Sequence, residues 1–88
     1  MEIDAAQILE KIRTVPNDYR HFRESVGTAQ RQYGISHALL ESLVRQGLPV
    51  ARRDEGLFFD PFDLSNLSLH LRLPSVQRMA MRSWGRTL

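Results

Sequence analysis

Helix-breaking and turn-forming residues recur so often along this chain that no regular element can be long. Pro16, Gly27, Gly34, Gly47-Leu48-Pro49, Asp54-Glu55-Gly56, Asp60-Pro61, Pro74 and Gly85 divide 88 residues into segments of about ten. A proline cannot continue a helix through its interior, and glycine favours the left-handed backbone that ends one. The chain must therefore be built from short elements folded onto one another. With no cysteine, neither disulfides nor thiolate metal sites stabilise them, so packing alone must do so. At 42% apolar and 25% charged residues, the composition is that of an ordinary globular protein, and 88 residues are read as a single domain. No stretch approaches a membrane span, and the acidic start Met1-Glu2-Ile3-Asp4 lacks the pattern of a secretion signal. A cytoplasmic protein with no membrane contact is the expectation.

Between the breaks the spacing is mostly helical. Asp4 is a candidate N-cap for a first helix near residues 4–14, in which Ile8, Leu9 and Ile12 recur at helical spacing. Tyr19, Phe22 and Val26 suggest a second helical segment after the Pro16-Asn17-Asp18 turn, ending near Gly27, with Ser25 as the alternative start of a fresh helix. Ala29 and Tyr33 share a helical face up to Gly34, and Ile35 turns inward before Ser36 caps the next helix. That helix, His37 to Gln46, carries Leu39, Leu40, Leu43 and Val44 on one stripe and His37, Ala38, Glu41, Ser42 and Arg45 on the other. Residues 50–59 read as a β-hairpin turning at Asp54-Glu55-Gly56. Asp60-Pro61 then opens a helix with Leu64, Leu67 and Leu71 inward, and Ser75 caps a last one with Val76, Met79, Ala80 and Trp84 inward.

Helix, tight glycine turn, helix, β-ribbon, helix is the order of a winged helix-turn-helix, in which a small residue sits at the helix crossing and an apolar residue plugs the pair. Ala29, Gly34 and Ile35 fill those places. The fold class expected is mainly α with a small β-hairpin, divided as residues 1–24 (N-terminal helices), 25–71 (winged helix-turn-helix core) and 75–88 (basic C-terminal helix).

Over residues 25–71 the chain resembles the compact winged-helix DNA-binding domains of the MerR type, including excisionase-like proteins and the N-terminal domains of phage terminase small subunits. The resemblance rests on Gly34-Ile35-Ser36 before the helix, Gly47-Leu48-Pro49 after it, and Phe59-Asp60 at the end of the wing. It implies a bacterial or phage DNA-binding protein, a transcription regulator or architectural factor that is nucleoid-associated and homodimeric. The helix 37–46 would lie in the major groove of double-stranded DNA with Ser36, His37, Ala38, Glu41, Ser42 and Arg45 toward it, and Arg52 and Arg53 would reach out from the wing. The alternative is a winged-helix module that binds a protein, with the terminal helices also available as docking surfaces.

Net charge is +2 and unevenly spread: −1 over residues 1–24, +1 over 25–59 and +2 over 60–88. After Asp63 there is no acid, while Arg78, Arg82 and Arg86 follow at helical spacing as a second basic face. Three cations in the motif predict weak, salt-sensitive binding by a monomer, to which a dimer or this tail would add. No enzyme, cofactor or metal site is expected. His21 and His70 lack ligand companions at suitable spacing, Asp60 and Asp63 fit helix capping, and Ser25, Ser36 and Ser75 are caps without a base nearby.

Overall fold

Three polar side chains set where the helices begin. In a computed structural model of the protein, which describes residues 5–73, Ser25 Oγ accepts the Thr28 amide hydrogen at 3.2 Å, Ser36 Oγ accepts that of Leu39 at 3.2 Å, and Asp60 Oδ2 accepts that of Asp63 at 3.1 Å. Each satisfies one of the amides that a helix start leaves without an intrahelical partner. They open α2 (Val26–Tyr33), α3 (His37–Arg45) and α4 (Pro61–His70), the last with proline in its first turn. The first helix, α1 (Ala6–Arg13), starts at Ala5 without a side-chain cap, and the expected cap Asp4 lies outside the described residues. So does the expected C-terminal helix with Arg78, Arg82 and Arg86.

The link between α2 and α3 is as tight as the sequence predicts. Gly34 adopts φ 72°, and its amide and that of Ile35 both bond back to the Ala29 carbonyl. A Cβ at that backbone angle would be strained, so glycine there is a geometric requirement. Ala29 and Ile35 are fully buried.

The principal correction concerns residues 17–25. A second helical segment is expected there from the spacing of Tyr19, Phe22 and Val26, but the chain makes one 3-10 turn, Asn17–Tyr19, then runs extended into the strand β1 (Glu24–Ser25). Ser25, the alternative start, is where the helix begins. The reason is competition for donors. The His21 amide donates to Asp60 Oδ1 at 2.9 Å and the Arg23 amide to the Phe59 carbonyl at 3.2 Å, so tertiary partners take the groups a helix would use. The expected N-terminal pair of helices is thus one helix and a turn. The hairpin of β2 (Ala51–Arg53) and β3 (Gly56–Phe59) correspondingly becomes a three-stranded antiparallel sheet in the order β1-β3-β2. Glu24 pairs with Phe59 and Ser25 with Phe58, while Arg52 faces Leu57 and Arg53 faces Gly56 across the Asp54-Glu55 turn.

Leu9, Ile12, Tyr33, Ile35, Leu40, Leu43, Phe59, Leu64 and Leu67 form the core, to which every helix and β3 contribute. One charged pair lies among them. Arg20 Nε donates to Asp63 Oδ2 at 2.8 Å, and the same guanidinium donates to Asn17 Oδ1 at 3.0 Å and to the carbonyls of Ile12 and Val15. It thereby adds a donor to carbonyls in and just after the last turn of α1 and joins that end to α4. Burial raises the Asp63 carboxyl above its ordinary value of 3.8, a shift that the Arg20 hydrogen bond and charge oppose.

Candidate functional site

The amphipathic pattern of α3 turns Leu40 and Leu43 into the core and leaves Leu39 and Val44 half-buried at its edges. On the Val44 side, α3 and the hairpin do not close on each other. They flank an open groove of about 330 Å³ lined by Val26, His37, Leu40, Glu41, Val44, Arg45, Arg52 and Leu57. Its floor is apolar, supplied by α2 (Val26), α3 (Leu40, Val44) and β3 (Leu57), and its rim is charged.

The rim is set by two periodicities. His37, Glu41 and Arg45 are four apart, so they follow one another along a single line of α3. His37 Nε2 lies 3.3 Å from Glu41 Oε1, both side chains being well exposed. Opposite them stands Arg52. Successive strand residues point to opposite faces, so Arg52 and Arg53 cannot both face the groove. Arg53 Nη1 donates to the Phe22 carbonyl at 2.7 Å, and its guanidinium sits 4.9 Å from the centre of the Phe58 ring. That arrangement ties Arg53 to the N-terminal side of the sheet.

Of the residues singled out from the sequence, His37, Glu41, Arg45 and Arg52 therefore share one groove. Ser36 is exposed, with its hydroxyl engaged as the α3 cap. Ala38 is exposed and does not line the groove, and Ser42 is half-buried, its Oγ accepting from Gln46 Nε2 at 3.0 Å. Arg78, Arg82 and Arg86 lie outside the described residues.

Sequence reasoning missed the groove floor. Val26 and Leu57 are 31 positions apart and meet because β1 adds Ser25 to the edge of the hairpin, the strand that the helical spacing of Tyr19, Phe22 and Val26 concealed. Arg31 is a further cation near the groove that no motif in the sequence marks. Its guanidinium lies against Gly27, about 3.0 Å from where a Cβ would stand, next in sequence to the groove residue Val26.

The arrangement suits binding by shape and charge, with no pair of titratable side chains converging on a buried reacting position. Among the described residues, no cluster of three or more His, Asp or Glu is disposed to hold a metal ion, and no helix is long and apolar enough to cross a membrane. No protein-family model, curated protein or solved structure matches the chain.

Proposed function

We propose that the chain is a winged helix-turn-helix domain that binds double-stranded DNA, with α3 directed to the major groove and the β2–β3 hairpin acting as the wing. The observation that carries this reading is the shared groove: α3 and the hairpin present Arg45 and Arg52 on opposite rims, and the Gly34 turn holds α3 against α2. Such a pair of cations, one on a helix and one on a ribbon, suits a phosphate backbone running past the mouth of the groove, while His37, Ala38 and Glu41 on exposed α3 turns face outward. In this reading the protein is a transcription regulator or an architectural factor. Few cations line the motif, so a homodimer or the Arg78, Arg82 and Arg86 segment supplies further phosphate contacts.

The test is fluorescence anisotropy of the protein against random-sequence duplex DNA at low and near-physiological salt. Log-linear weakening with salt, with a slope that falls by about one for each phosphate-contacting arginine removed, supports the reading. Absence of binding at low salt overturns it.

One observation favours a second reading, a protein-binding module. The groove floor is apolar, and acids accompany the cations, with Glu41 on the rim and Asp54-Glu55 at the exposed hairpin tip. An apolar floor has no use for phosphate but does suit a side chain of a peptide partner. A stable complex with a protein, alongside no DNA affinity, would distinguish it.

A further inference from the structure

α3 carries a single acid, Glu41, on the face it presents to solvent. Beside a polyanion such an acid is a liability, because it repels the phosphates that the flanking cations attract. The fold does not account for it either. The Glu41 side chain is 59% exposed, and its 3.3 Å contact with His37 Nε2 lies in water, where such a pair stabilises little. Arg45 stands one turn further on, at the spacing of a helical ion pair, yet among the described residues no salt bridge joins it to Glu41. The contact with His37 instead sets the carboxylate towards the N-terminal turn of α3, three residues on from the small, exposed Ala38. The N-terminal part of a recognition helix is the part that meets base edges, and a residue as small as alanine there lets the helix come close enough for a glutamate to reach one.

Hydrogen-bond chemistry then limits what Glu41 can meet. An ionised carboxylate only accepts. In the major groove guanine offers O6 and N7 and thymine offers O4, all of them acceptors that repel it. Adenine offers an amine at N6, but its N7 acceptor stands alongside. Cytosine presents the N4 amine with no acceptor of its own beside it.

We propose that Glu41 is a specificity-determining residue that selects cytosine, the carboxylate oxygen not engaged by His37 accepting from the N4 amine while Arg45 and Arg52 meet phosphates. This assignment rests on the DNA-binding reading above. It gives the acid a purpose on a basic rim, since an element that weakens binding to DNA at large discriminates at one base pair.

The experiment is selection from randomised duplexes by the full-length protein at low salt, run in parallel for the parent, Glu41→Gln and Glu41→Ala. Anisotropy then follows on the selected duplex and on copies altered at single base pairs. In the parent's selected sites one position is expected to be fixed as C·G, and replacing that pair weakens binding about tenfold. E41Q moves the same position to A·T, because an amide side chain pairs with adenine N6 and N7, and E41A leaves it unspecified. The other selected positions stay as they are in both variants, and circular dichroism matches the parent's. The proposal is overturned if the selected sites hold no C·G position that responds to Glu41. Salt-sensitive binding to random-sequence duplex persists in that case, so the DNA-binding reading survives the loss. If no duplex binds at low salt, both fall together.

Discussion

Two charged regions of this molecule use the same side chains in opposite ways. On the α1–α4 side, Arg20 and Asp63 are buried and every bond of the guanidinium goes to a partner inside the chain. On the α3–hairpin side, Arg45 and Arg52 stand exposed at the rim of a groove, and the contact between His37 and Glu41 lies in solvent. A buried charge is costly unless it is fully bonded, whereas an exposed one contributes little to stability. The first region therefore fixes the fold, its charges satisfied within the chain. The second is cheap to keep and free to bind.

The sharpest way to break this contrast is Arg20→Met. Removing the cation leaves the Asp63 carboxylate buried without its partner and takes a donor from the carbonyls of Ile12 and Val15, and we expect a loss of about 3–5 kcal/mol by urea unfolding at neutral pH. The effect carries a pH signature. Because the folded-state pKa of Asp63 lies above its unfolded value of 3.8, between those two pH values the folded chain keeps a proton there that the unfolded chain has released. The contribution of this group is thus fully present below 3.8 and is lost as pH rises through the folded pKa. Without Arg20 that pKa moves further up, so the variant recovers part of its stability in mild acid. A loss under about 1 kcal/mol would show that the pair is dispensable.

Gly34→Ala comes next, since it forces a Cβ onto a φ of 72°, and a cost of roughly 1–2 kcal/mol by thermal unfolding is expected. In the other region, the double change R45A/R52A should leave unfolding within about 0.5 kcal/mol of the parent while lowering DNA affinity roughly tenfold at low salt and flattening the salt slope. Unchanged affinity would remove the groove from the proposed interface. The smallest effect belongs to Glu41→Gln, which removes an acid from the same rim. A rise of about two- to threefold in DNA affinity is expected at low salt, vanishing as salt is raised. A fall would mean that Glu41 orders His37 for contact.

Local chemistry made the helical middle of the molecule legible. Ser36, Gly34 and Asp60-Pro61 act within four residues of themselves, and α2, α3, the hairpin and α4 stand where those signals put them. What the sequence concealed is decided at long range. Residues 20–25 have helical spacing, yet they run extended because Asp60 and Phe59, some 36 to 39 positions away, take their amide hydrogens. Position at a helix start predicts only capping and dipole stabilisation for Asp60 and Asp63. Each does something further, Asp60 holding the His21 amide and Asp63 holding Arg20. For the candidate site, the α3 rim followed from period and the apolar floor did not, since Val26 reaches it only through the strand pairing of Ser25.

Strand alternation gives the two adjacent arginines of the hairpin different fates, and this bears on how the wing itself behaves. Arg53, tied to the Phe22 carbonyl and lying over Phe58, anchors the ribbon to the segment before β1. A two-stranded ribbon alone is marginal in water, and this one is braced at the residue next to its turn. Its tip is therefore held beside the turn, so that Arg52 meets a partner from a position already set and little ordering cost attends the encounter.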